Sequence, residues 1–138
     1  MTFTHPHRVR YLEVDAQGVV FNGHYLGWFD DAMTAFLDHR GLPYAAMLES
    51  GHDVQLVRSE IDWRAGVGFQ DEVHIAVSTA RLGRTSFALD FEVRHDGAVT
   101  CAGRTVYVVV ATDGSGKRAI PPLIADALGR PAPLLPAS

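Results

Sequence analysis

The apolar residues of this chain change their period once, and the change separates a helical part from a sheet part. From Asn22 to Arg40, Tyr25, Phe29, Ala32, Met33 and Phe36 recur every three or four residues, with Asp30, Asp31, Thr34 and Asp38 opposite them. That spacing predicts an amphipathic helix with one buried stripe. Asn22 is placed to cap its start, Gly41 suits the left-handed position past its end, and Pro43 prevents continuation. A further helical turn or two is expected from Tyr44 to Ser50. Beyond Gly51 the period becomes two. Phe87, Leu89, Phe91 and Val93 alternate with Ala88, Asp90, Glu92 and Arg94 across residues 84 to 95, and Val73, Ile75 and Val77 repeat the pattern one segment earlier. The two segments read as a hairpin joined through Leu82-Gly83-Arg84. Residues 52 to 63 alternate in one phase through Val54 and Leu56, then in the other through Val57, Ser59, Ile61 and Trp63, a slip that a bulge near Leu56 would produce. Val106 to Val110 is apolar on both faces, which suits a central strand or one whose outer face meets another subunit. Ahead of the helix, Val9 and Tyr11 among Arg8, Arg10 and Leu12 predict a first strand over residues 8 to 14.

The order is therefore strand, long helix, then four strands spaced for antiparallel pairing, with no repeats and no linker. This predicts one α+β domain over residues 1 to 138, with the helix laid across the concave face of a single sheet. The proline-rich segment 120 to 138 is expected to carry at most a short helix at Leu123 to Leu128 and otherwise to pack loosely.

Composition narrows the function more than the fold. The chain has 138 residues, 47% hydrophobic and 20% charged, within the range of ordinary globular domains. Its 12 Lys and Arg against 16 Asp and Glu give a net charge of −4, with no basic stripe, which argues against nucleic-acid binding. Cys101 stands alone, so no intrachain disulfide is possible, and Met1 to Arg8 has no apolar signal core; a cytoplasmic protein without a membrane span is expected. Gly114-Ser115-Gly116-Lys117 lacks the glycine at position 111 and the Ser or Thr at 118 that a phosphate loop needs, and it reads as a turn. No G-x-S-x-G elbow is present, Cys101 reads as a small packed residue rather than a nucleophile, and the seven histidines fall into no metal-ligand spacing. Neither a metal nor a separate cofactor is expected.

The segment that can carry chemistry runs from Tyr11 to Tyr25, between the first strand and the helix. Val19-Val20-Phe21 delivers the chain into a helix whose first free N–H groups belong to residues around Asn22, Gly23 and His24. Such an end attracts an oxyanion, and Gly23 offers no side chain to obstruct its approach. Asp15, seven residues before Asn22, can fold back beside the same spot. A carboxylate next to an oxyanion site suits acyl transfer or hydrolysis. By spacing alone, a plain turn at Asp15 and Gly18 and a plain cap at Asn22 would also fit.

Tyr11, Asp15, Gly18-Val19-Val20-Phe21, Tyr25 and Trp28-Phe29 together resemble the signature of the hot-dog-fold acyl-CoA thioesterases. The branch resembled contains 4-hydroxybenzoyl-CoA thioesterase and the Tol–Pal-associated thioesterases. The likeness continues through Glu60 to Ala65, Gln70 to Val73 and Leu82 to Phe87. It implies a long helix wrapped by a curved antiparallel sheet, with Asp15 as nucleophile or general base on an acyl-CoA thioester. The backbone N–H of Asn22 or Gly23 would polarise the carbonyl. Tyr25, Arg84, Thr85 and Ser86 would face the substrate, the last three toward its CoA part. One branch commonly carries a histidine where Asn22 stands. The resemblance also implies a homodimer or homotetramer with sites between subunits. Two other readings of the fold stay open, a non-catalytic acyl-CoA or acyl-carrier-protein binding module and an acyl-CoA dehydratase, although the Asp/His pair of the latter is not found.

Overall fold

A computed structural model describes residues 2–137 of the chain. Five strands, β1 (Phe3–Arg8), β2 (His52–Trp63), β3 (Glu72–Leu82), β4 (Ser86–His95) and β5 (Ala98–Ala111), form one curved antiparallel sheet in the order β1-β3-β4-β5-β2. Helix α1 (His24–His39) lies on its inner face, α2 (Tyr44–Glu49) precedes β2, and α3 (Pro122–Leu128) follows β5. This is the α+β hot-dog arrangement that the residue patterns and the resemblance lead one to expect.

The period-3.6 stripe makes the core. Tyr25, Trp28, Phe29, Ala32, Met33, Phe36 and Leu37 are buried along α1 and meet the inner-facing Phe87, Leu89, Phe91 and Val93 of β4. The Phe29 ring stacks on Phe91 with centroids 4.5 Å apart. That closeness needs Gly103 on β5, because a Cβ there would stand 2.9 Å from Phe29 Cε2. The bulge in β2 falls where the phase slips, between Leu56 and Arg58, and β5 is an interior strand between β4 and β2. Gly41 takes φ +87 just past α1.

Three expectations need correction. The first strand is residues 3 to 8, with Phe3, His5 and His7 turned inward and Pro6 tolerated because β1 is an edge strand. Residues 11 to 13 form a 3₁₀ turn instead, with Tyr11 and Leu12 75% and 88% exposed, because the Glu13 carboxylate folds back onto the Arg10 N–H at 2.9 Å. The residue capping α1 is Gly23 rather than Asn22. There the main chain closes its own turn, the His24 N–H donating to Phe21 O at 3.1 Å, and no side chain supplies a cap bond. The C-terminal segment is not loosely packed. Ile124 and Leu128 of α3 are fully buried, and the Ala132 N–H donates to Thr79 O at 2.7 Å. Beyond it the N–H groups of Leu134 and Leu135 donate to Asp90 Oδ2 on the sheet's outer face. Arg104 is paired with the same Asp90.

Candidate active site

Asp15 enters a small β-like turn. Val14 and Val20 form an antiparallel bridge, the Asp15 N–H donates to Val19 O at 2.9 Å, and the Gly18 N–H returns to Asp15 O at 3.0 Å. One carboxylate oxygen, Oδ1, accepts the Gln17 N–H at 2.8 Å. The other oxygen accepts no hydrogen bond among the described residues, and the side chain is half-buried.

The same turn forms one wall of an open cleft of about 680 Å³. Asp15, Asn22 and Tyr25 all line it, with Val19, Phe21 and, from the end of β2, Trp63, Ala65 and Gly66. The β2–β3 connection is held against the turn by the Val20 N–H donating to Val67 O at 2.9 Å. Gly66 makes that approach possible, since a Cβ there would stand 2.8 Å from Val19 Cγ1. At the start of α1, the His24 and Tyr25 N–H groups close onto Phe21 O and Asn22 O. Those of Asn22 and Gly23 have no acceptor among the described residues. A half-satisfied carboxylate and Asn22, which leads into the positive end of a 16-residue helix, therefore line one opening.

The aromatic wall is neutral. Burial, with a smaller push from Cys101, moves the Tyr25 hydroxyl up to about 12, and its ring meets Trp63 edge-on at 6.1 Å. Phe29 and Met33 are core residues, whereas Trp63 is half-exposed and belongs to the cleft. Cys101 is buried in β5, its thiol pushed up to about 12 by desolvation and by Asp62, so it is not a nucleophile. No group of three or more His, Cys, Asp or Glu among the described residues is placed to hold a metal ion.

Arg84, Thr85 and Ser86 do not join this cleft within one subunit. They form the β3–β4 turn, where the Gly83 N–H donates to Ser86 O at 2.7 Å and the Ile120 N–H to Arg84 O at 2.8 Å. Ser86 pairs with Val108 and Trp63 with Cys101, seven positions apart along β5, or roughly 23 Å at about 3.3 Å per residue. The sequence offers Trp63, like Phe29 and Met33, as a pocket residue but favours the core for it, and it does not single out Ala65 or Gly66, because nothing local signals that this connection folds against Val19. It assigns no role to Glu13.

Fold and cleft together define a small hot-dog protein with a carboxylate at the start of its central helix. Residues 9–128 match the thioesterase-like superfamily, and the chain belongs to that family. A 1,4-dihydroxy-2-naphthoyl-CoA hydrolase from Synechococcus sp. (strain CC9605) is 28% identical over 137 residues, covering 91% of this chain and 92% of that protein. The structure of a gentisyl-coenzyme A thioesterase has a TM-score of 0.85 at 26% identity, covering 92% of this chain and 100% of the other. A hypothetical protein from Aquifex aeolicus shares the fold with a TM-score of 0.88 at 24% identity, over 92% of this chain and 99% of its own. Among the described residues no helix is long and apolar enough to cross a membrane.

Proposed function

We propose that the protein is an acyl-CoA thioesterase that hydrolyses an aromatic acyl-CoA to the free acid and CoA, as in the 4-hydroxybenzoyl-CoA thioesterase branch. The observation that carries this is the Asp15 carboxylate, with one oxygen free of hydrogen bonds, lining the same cleft as Asn22, whose N–H at the approach to α1 has no acceptor among the described residues. The thioester carbonyl binds with its oxygen toward the N–H groups of Asn22 and Gly23, which stabilise the negative charge that develops there. The Asp15 carboxylate then either attacks the carbonyl carbon, expelling the CoA thiolate and leaving a mixed anhydride that water opens, or removes a proton from an attacking water. A thioester is already activated, so neither route calls on a metal or redox cofactor. The rings of Tyr25, Trp63 and Phe21 suit a flat acyl group, and the two relatives named for CoA thioesters act on aromatic ones.

The CoA portion is held in a homodimer. β2 is an edge strand of 12 residues with Leu56, Val57 and Trp63 exposed, which invites pairing with a second copy. An antiparallel two-fold along β2 sets the Trp63 end of one subunit beside the His52 end of the other. His52 pairs with Ala111, at the sheet end that carries Arg84 to Ser86. The guanidinium and hydroxyls then reach the neighbouring Asp15 cleft, where they suit phosphate oxygens.

The test is thiol release from a panel of aromatic and alkyl acyl-CoA esters, run beside Asp15→Asn. The expected result is hydrolysis of an aryl ester and a loss of about 10²–10⁴-fold in the variant. Unchanged turnover in Asp15→Asn would sink the assignment of Asp15. Binding without thiol release would make the protein a binding module.

A further inference from the structure

Two residues before Asp15 the chain buries a second carboxylate that does not line the cleft. Glu13 is 5% exposed, and its acceptor oxygens are all engaged. Oε1 accepts the Arg10 N–H at 2.9 Å and stands 2.9 Å from His7 Nε2, while Oε2 accepts the Trp28 indole N–H at 2.6 Å. The Arg10 guanidinium is 3.8 Å away. The main-chain oxygen of Glu13 accepts the Phe21 N–H at 2.9 Å. One residue thus joins the end of β1, the turn that leads to Asp15, the segment entering α1 and the second turn of α1. Trp28 passes the contact on, its ring 4.8 Å from that of Tyr25 in the cleft wall.

Stability alone does not account for this arrangement. Burying a carboxylate carries a desolvation penalty, and a well-packed apolar residue would hold the same elements together at least as well. What a carboxylate adds is direction, since it fixes three donors on three segments at set angles. We propose that Glu13 is a positioning residue, which keeps the Asp15 turn in register with the N–H groups of Asn22 and Gly23. This rests on the reading of Asp15 as the reacting carboxylate. Glutamine cannot substitute, because both Glu13 oxygens accept from N–H groups and an amide NH₂ at either place would oppose a donor.

Glu13→Gln should lower kcat by about 10- to 100-fold, the cost of a small misplacement of reacting groups, with KM within about threefold. Adding it to Asp15→Asn should cost nothing more, because the group it positions is already gone. Amide exchange should accelerate over residues 14 to 24 and stay unchanged in β3, β4 and β5. Trp28→Phe removes only one of the donors and should give the same split of kcat from KM at smaller size, which keeps the idea testable where Glu13→Gln folds poorly. An unchanged kcat in the folded variants, or unaltered exchange at residues 14 to 24, would overturn it. The exchange readout needs no turnover, so a wild type that hydrolyses no thioester would refute the proposed function while exchange still decides whether Glu13 anchors the turn.

Discussion

The outer face of the sheet and the mouth of its inner cleft each carry an aspartate, and the two are treated in opposite ways. Asp90, on β4, is fully buried beneath the C-terminal segment. It accepts Arg104 Nε at 2.7 Å and Nη2 at 3.0 Å, and the Leu134 and Leu135 N–H groups at 2.9 and 3.0 Å. No capacity is left for a ligand. Asp15 has one hydrogen bond, one free oxygen and an open cleft in front of it. Saturation of donors and acceptors marks a carboxylate that holds the fold, and an unused oxygen beside unused N–H groups marks one that can act on a substrate.

The largest effects should separate along that line. Asp15→Asn should remove most turnover and leave the unfolding free energy nearly unchanged. Asp90→Asn should do the reverse, because its NH₂ must oppose either Arg104 or the Leu134 and Leu135 N–H groups and the guanidinium loses its counter-charge. A loss of about 3–5 kcal/mol in urea unfolding is expected, with kcat and KM preserved at temperatures where the variant is folded. Equal stability losses at both positions would erase the distinction.

A middle-sized effect tests where the two halves of the site meet. Arg84→Ala should raise KM about tenfold, or about 1.4 kcal/mol, with kcat little changed. Asp15→Asn and Arg84→Ala chains, unfolded together and refolded as a mixture, should regain part of the lost activity. In the proposed homodimer, a hybrid would pair the intact Asp15 of one subunit with the intact Arg84 of the other. A mixture no more active than the average of its components would mean that Arg84 serves no neighbouring cleft.

What was legible beforehand follows the range of the forces involved. Helix α1, the bulge beside Leu56 and the β3–β4 hairpin are set by local period, and a local pattern reports them. The grouping of Asp15 with Asn22 was legible for the same reason, since one short segment contains both, whereas Tyr25 entered only through the resemblance. Alternation along β4 puts Asp90 on the outer face, and only a strap more than 40 residues later in the chain buries it. The shift of β1 to residues 3–8 likewise depends on Glu13 reaching Trp28, 15 positions away. Trp63 and Gly66 enter the cleft through main-chain pairing with Val20 and close contact with Val19. No pattern within 60 to 70 encodes that.

The smallest effect concerns pH, and it sharpens the contrast between a carboxylate proposed to anchor and one proposed to react. Burial alone would raise the Glu13 pKa, but the Trp28 indole, the Arg10 N–H and His7 together outweigh it and hold the group below its ordinary value of 4.5. A depressed carboxylate contributes stability that is fully present above the unfolded pKa and is lost as pH falls through the lower folded value. The difference in unfolding free energy between wild type and Glu13→Gln should therefore narrow as pH falls below about 4.5, as protonated Glu13 comes to resemble glutamine. Chemical denaturation of both proteins between pH 7 and 3 measures it directly. A gap that stays constant to pH 3 would mean that the charge of Glu13 does not anchor the turn, and that the contacts at His7, Arg10 and Trp28 would serve a neutral side chain as well.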